Sequence, residues 1–284
     1  MNILMIGAHP DDCEFRCSGL AYKYVQDGHR VRMLSMCNGN GGHHVLSCDE
    51  IAARRHGEAM TAAKVLGVEY DIWDIPDCQL VADLPTREKL IRYIREFKPD
   101  VIFGHRNNDY HADHRNAGLL LQDASYLLIV PNYCSDTPAM KEMPVILHYL
   151  DKFKNPPFEP DVVIDTTDVV EKKFQMLHCH TSQMYEWLPY TYGTIDEVPE
   201  SEEDRYNWLK GDLIDENTPD ELVIKGEMKG YSKRFAYDAS RYRDMLIKRY
   251  GEERGRKVVF AESYAVSEYG NPMTPELEKK IFPY

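Results

Sequence analysis

Short apolar runs recur along the first half of the chain, each followed by a stretch whose apolar residues fall at helical spacing. Ile3-Leu4-Met5-Ile6-Gly7 reads as a buried first strand, and Ser18 to Gln26 as a helix stopped by Gly28. Val31 to Cys37 predicts a second strand that enters the glycine-rich loop Asn38-Gly39-Asn40-Gly41-Gly42. Asp49 then precedes an amphipathic helix to Leu66, with Gly67 as its stop. Tyr70 to Ile75 predicts a third strand, Pro85 to Phe97 a helix with proline in its first turn, and Val101 to Gly104 a fourth strand. A helix follows His114 as far as about Leu128. Val145 to Tyr149 and Val162 to Asp165 read as short strands, and Val169 to Leu177 begins a helix that delivers His178 and His180. Such alternation predicts an α/β fold with a mostly parallel sheet covered by helices on both faces.

From Tyr185 onward the pattern loosens, leaving Tyr231 to Tyr250 as a late helix and Lys257 to Val266 as a late strand. The expected organisation is a core over residues 1–183 and a C-terminal extension over 184–284 that packs on it without folding independently. No run of about 18 apolar residues is present and the chain opens on a strand, so a cytoplasmic protein with no membrane partner is expected. The seven cysteines contain no CxxC pair, which argues against a disulfide framework and a thiolate zinc site.

A net charge of −13 argues against nucleic acid or anionic lipid as partners and favours a neutral small molecule. Eleven carboxylates between Asp196 and Glu221 face only Arg205 and Lys210, which reads as a solvated loop at the rim of a cleft. No GxGxxG or Walker pattern opens a helix, so no nucleotide site is expected.

Candidate chemistry sits at two strand ends. Ala8-His9-Pro10-Asp11-Asp12-Cys13-Glu14 follows the first apolar run, and Asp109-Tyr110-His111-Ala112-Asp113-His114 follows the fourth. Open α/β sheets place ligands outside the C-terminal ends of their strands, so both clusters could converge on one ion. His9, Asp12 and His114 would supply two imidazoles and a carboxylate, leaving a position for water as in catalytic zinc sites. Asp11, adjacent to Asp12 but pointing elsewhere, is free to act as a base. Two His and one carboxylate also describe Fe(II) sites, so the ion could be zinc, iron or another divalent metal.

Together the clusters resemble the PIG-L/LmbE superfamily of metal-dependent N-deacetylases, whose members share an HPDD segment and a later HxDH-type segment. Further landmarks arrive in the family's order: the Asn38 to Gly42 loop, Arg55-His56-Gly57-Glu58 before Leu66-Gly67-Val68, and His180-Thr181-Ser182-Gln183. The resemblance implies a Rossmann-like fold, zinc, and removal of an acetyl group from an N-acetylglucosamine-type sugar or its conjugate. It implies Asp11 as base and Asp12 as ligand, with His111 off the metal and facing the oxyanion. Asp113 would hold an imidazole in its donor tautomer, Arg55 would reach substrate hydroxyls although Arg54 is an equally long neighbour, and His180 would border the pocket. A homo-oligomer is expected.

Many relatives carry Glu where this chain has Cys13, with Glu14 one position later, which leaves Cys13 as a minor ligand or an oxidation liability. His29, His56, His105, His148 and His178 have uninformative spacing and read as structural, while His43 and His44 read as an exposed pair. Tyr185, Trp187, Tyr190 and Tyr192 read as a packed satellite core, or as flat faces for a sugar ring. The rival functions are a silent carbohydrate- or metal-binding relative, and an amidase acting on a thiol conjugate or glycopeptide.

Overall fold

The computed structural model describes residues 1–284. Seven strands, β1 (Asn2–Gly7), β2 (Arg30–Ser35), β3 (Glu69–Ile72), β4 (Val101–Gly104), β5 (Val145–Tyr149), β6 (Val162–Asp165) and β7 (Ala261–Val266), form one sheet. Its order is β3-β2-β1-β4-β5-β7-β6. The pairs from β3 through β5 are parallel, and β7 runs antiparallel to both β5 and β6.

Side chains alternate across the sheet, so β1 feeds two cores at once. Ile3 and Met5 join Leu20, Met33, Ala62 and Phe103 beneath α1 (Asp12–Gln26), α2 (Cys48–Leu66) and α5 (Val170–Cys179). Leu4 and Ile6 join Leu34, Leu90, Ile102 and Leu121 beneath α3 (Leu84–Phe97) and α4 (Ala112–Leu127). Helix starts follow their caps: Ser47 and Glu50 form a capping box for α2, and the Asp83 carboxylate accepts from the Thr86 amide at α3.

Two helices begin earlier than their apolar spacing predicts. The first starts at Asp12 rather than Ser18, because buried polar Asp12 and Glu14 occupy its first turn, where the helix dipole favours carboxylates. The fourth starts at Ala112, so His114 lies inside its first turn and not before it.

The C-terminal segment contains the turn Gln183–Trp187 and then α6 (Leu188–Tyr192), α7 (Glu202–Lys210), α8 (Asp220–Lys225), α9 (Ser232–Arg241), α10 (Arg243–Tyr250), α11 (Glu252–Lys257) and α12 (Pro275–Ile281). The single late helix expected over 231–250 is broken at Tyr242, and the late strand begins at Ala261 because α11 takes the residues up to Lys257. By supplying β7 to the interior of the sheet, residues 184–284 are woven into the core rather than only laid on it. Glu262 fixes that strand: its oxygens accept from the Gly19 and Leu20 amides at 2.9 Å and from Lys173 at 2.6 Å. No helix is long and apolar enough to cross a membrane.

Candidate metal centre

Strand order reverses between β1 and β4, since β2 and β3 lie on one side of that pair and β5 on the other. Connections leaving the two strands diverge there, which opens the crevice where doubly wound sheets bind ligands. The loop after β1 carries His9 and Asp11, and the loop after β4 carries His105 to His111. Gly7 permits the tight exit from β1, because a Cβ there would stand 2.8 Å from Asp12 Cβ. Asp11 holds φ at 148°, a region that costs a non-glycine residue of order 1–3 kcal/mol.

His9, Asp12 and His114 meet in this crevice. His9 Nδ1 lies 3.7 Å from Asp12 Oδ2, and His114 Nε2 lies 3.4 Å from Asp12 Oδ1. The remaining nitrogens are engaged by carboxylates: His9 Nε2 is 2.9 Å from Asp113 and His114 Nδ1 is 3.0 Å from Asp109. With protons on those nitrogens, each ring turns a lone pair toward Asp12, the arrangement a cation needs from neutral imidazole. Asp12 Oδ2 also accepts from the Ala8 and His9 amides at 2.9 Å. Burial opposes ionisation of Asp12, yet His114, His105 and His9 outweigh it and hold its carboxyl well below the usual range. Two triads whose ligand atoms all lie within 4.8 Å of one another, His9–His111–His114 and Asp12–His105–His114, share His114, so His9, Asp12 and His114 fall in two overlapping triads of imidazole and carboxylate donors, a chemistry that fits a divalent ion.

His111 caps α4, and its Nδ1 accepts from the Asp113 amide at 3.2 Å. That bond leaves the ring proton on Nε2, so neutral His111 is a donor. Burial, with His9 and His114 nearby, lowers its pKa and favours that neutral form. Its ligand nitrogens lie within 4.8 Å of those of His9 and His114. Asp113 is fully buried; besides His9 it accepts from the Cys78 amide at 2.7 Å and the Leu80 amide at 3.3 Å. Its Oδ2 also lies 3.8 Å from His111 Nδ1, so its contacts are with the imidazoles of the centre and with backbone amides.

The Asp11 carboxyl lies 3.1 Å from Arg55. Burial, offset by Arg55, pushes its pKa up to about 6. Arg55 does not reach outward as expected. Its guanidinium is only 3% exposed and donates to the Pro10 carbonyl at 2.6 Å and the Gly39 carbonyl at 3.3 Å, because a buried cation must be paired. Neighbouring Arg54 is the more exposed and binds Glu58 and Glu186.

His180 is likewise not at the border of an open pocket. It is fully buried, with Nε2 2.8 Å from Glu14, itself fully buried. Glu14 thus has a partner despite its shifted position. Cys13 is no ligand: its buried Sγ donates to the Met5 carbonyl, and burial raises its thiol pKa. His43 is paired with Glu186 at 2.8 Å, whereas exposed His44 stacks on Tyr190 at 4.0 Å. Tyr185 is core, at 2% exposure, while Tyr190 and Tyr192 are exposed.

In the sequence Asp109 carries no assigned role and His105 reads as structural, and the structure places both at the site. Asp109, which orients His114, opens the second motif. His105 Nε2 stands 3.3 Å from Asp12 Oδ2 and its ring stacks on His114 at 4.3 Å. The only sequence signal for His105 is its place directly after β4.

Residues 4–125 match the PIG-L family model, described as GlcNAc-PI de-N-acetylase. A 4-oxalmesaconate hydratase of Pseudomonas putida is 26% identical over 196 residues, covering 66% of this chain and 76% of that protein. A diacetylchitobiose deacetylase of Thermococcus kodakarensis is 29% identical over 204 residues, covering 66% and 74% respectively. The structure of N,N'-diacetylchitobiose deacetylase from Pyrococcus horikoshii, bound to its inhibitor MPG, has a TM-score of 0.64 at 23% identity, covering 100% of this chain and 87% of that one.

Proposed function

We propose, from the premise that residues 4–125 form a PIG-L family domain, that this protein is a metal-dependent hydrolase that removes the acetyl group from an N-acetylated amino sugar or its conjugate. The observation that carries the reading is that His9 Nε2 and His114 Nδ1 lie within hydrogen-bond distance of Asp113 and Asp109 while their other nitrogens face the Asp12 carboxylate, with Asp11 held beside them by Arg55. His9, Asp12 and His114 would hold the ion, with zinc as first assignment. When bound, it would supply Lewis-acid polarisation of the amide carbonyl and acidify water.

The chain's own residues would then act as follows. Asp11 accepts a proton from water as the water oxygen bonds to the carbonyl carbon, a role typically worth about 10²- to 10⁴-fold. His111 Nε2–H donates to the carbonyl oxygen as negative charge develops there, and loss of such a donor typically costs about 10²- to 10³-fold. Protonated Asp11 returns its proton to the nitrogen as the carbon–nitrogen bond breaks. Acetate and a free amine leave. Arg55 keeps Asp11 in place from behind, and Asp113 and Asp109 hold the two ligand imidazoles.

The relative named 4-oxalmesaconate hydratase favours a second reading, addition of water to an unsaturated acid on the same donor set. The two separate in one assay of the metal-loaded protein. The deacetylase reading expects acetate and primary amine in equal amounts from N-acetylglucosamine or its glycosides. Absence of both, with loss of ultraviolet absorbance from a conjugated unsaturated acid, would establish the hydratase instead.

A further inference from the structure

A cavity of about 1090 Å³ opens beside the centre, larger than most small-molecule pockets. Tyr110 belongs to its wall and also lies edge-on to His111 and His114, with ring centroids 5.7 Å away in each case, so the cavity borders the candidate metal centre. Most of the remaining wall comes from the loop after β5 and from the segment between α6 and α9.

The cavity's charge is opposite to that of the whole protein. Arg16, Lys152, Lys233 and Arg234 line it, and none of the four takes part in a salt bridge. Arg16 donates to the Leu150 carbonyl and Lys233 to the Gly226 carbonyl, both neutral acceptors. Lys152 lies over the Tyr237 ring at 3.9 Å and Arg234 over Phe15 at 4.1 Å. Three carboxylates share the wall, but Asp151 is taken by a bidentate pair with Arg106, and Asp212 accepts from the Lys229 amide. Glu197 is the third. Burial foremost lowers the pKa of Lys152 and Arg234; the nearby cations Arg234, Arg16 and Lys233 add to this at Lys152, against Asp238, and Arg16 adds to it at Arg234. A chain with a net charge of −13 holds many carboxylates that could have relieved this cost. Unneutralised like charge in a low-dielectric cleft focuses the field and concentrates a counter-ion there.

We infer that the substrate carries an anionic substituent, carboxylate or phosphate, which Arg16, Lys152, Lys233 and Arg234 bind while the acetamido group sits at the candidate metal centre. This narrows the proposed function and rests on it for the acetamido half. It also replaces the neutral ligand that the overall charge suggested.

The test is equilibrium binding by calorimetry to the metal-loaded protein, which needs no turnover. The probes are N-acetylglucosamine 1-phosphate, the carboxymethyl glycoside and the neutral methyl glycoside of N-acetylglucosamine. An anionic probe should bind at least about tenfold more tightly than the neutral one, the scale of a hydrogen bond to a charged group. That advantage should shrink as salt rises. Arg234→Met, which keeps an unbranched stem against Phe15, should lower the preference about tenfold, and Lys233→Met provides the same reading at a more accessible position. The ratio between phosphate and carboxylate probes identifies which anion the site favours. Equal affinity for the neutral and anionic probes, no measurable binding of either anionic probe, or an unchanged preference in both variants would overturn the inference. If the anionic probes are preferred but no acetate is released from any of them, the deacetylase reading fails while the anion site stands.

Discussion

Replacing Asp113 separates holding the ion from positioning the residues that hold it. One oxygen, Oδ2, accepts from both His9 Nε2 at 2.9 Å and the Cys78 amide at 2.7 Å, while Oδ1 accepts from the Leu80 amide at 3.3 Å. In Asp113→Asn the side-chain oxygen can take the Oδ2 position and retain two of these bonds. Its NH2 then faces the Leu80 N–H, donor against donor. One buried orphan costs about 1–3 kcal/mol, and loss of the anion also makes His9 a weaker base. Metal affinity should fall about tenfold. Asp113→Ala leaves His9 free to place its proton on Nδ1, where it would face Asp12 in place of a lone pair. Metal affinity should then fall toward about 100-fold, with a larger loss of stability than in the amide variant. Chelator competition measures the first quantity and urea unfolding of the metal-free protein the second. An alanine variant that binds metal within about twofold of the parent would refute tautomer control of His9.

Asp11→Asn should keep its metal and lose about 10²- to 10⁴-fold in turnover, checked by elemental analysis beside an acetate assay. Gly39→Ala should lower unfolding free energy by about 2 kcal/mol in urea titrations, because φ is +80° and a new Cβ would meet Arg55 Cδ at 2.7 Å. Asp238→Asn should stabilise the protein increasingly with pH. Burial raises the native Asp238 pKa from 3.8 to about 7, so the parent loses stability as pH rises from the lower value through the upper, and the Asn variant does not. Arg16, Lys173 and Glu262 face this group in both proteins, so the variant's advantage in urea should grow by about 2–3 kcal/mol between about pH 5 and pH 8, and a flat difference would contradict the assignment.

The parallel half of the sheet was legible because strands covered on both faces are continuous apolar runs: β1, β4 and β5 fall where those runs fall. Helix starts were misread where chemistry occupies the first turn. Asp12 and Glu14 open α1, and Asp113 and His114 open α4, so polar residues stand at positions where spacing looks for apolar ones. The place of β7 was hidden for another reason. Its pairing joins residues near 264 to residues near 149 and 162, and no local pattern encodes which distant strand is the neighbour.

The same division between local and distant explains the site. His9, Asp11, Asp12, His111 and His114 sit in two short motifs, each read from its own few residues. The Glu14–His180 pair spans 166 positions, and its bond to Glu14 turns His180 inward. The family pattern around Arg55 suggests an outward-reaching side chain, but the fold places the Asp11 and Asp77 carboxylates and two carbonyls around it, and burial then becomes tolerable. The cavity cations are the extreme case. Arg16 lies on α1, Lys152 follows β5, and Lys233 and Arg234 lie on α9, so the charge that matters to a ligand is assembled from three distant segments. A chain-wide sum counts every distant carboxylate equally with these four, although a charge beyond about 8–10 Å through salt water is largely screened. The anionic substituent inferred for the ligand therefore answers to these four cavity cations and not to the chain-wide sum.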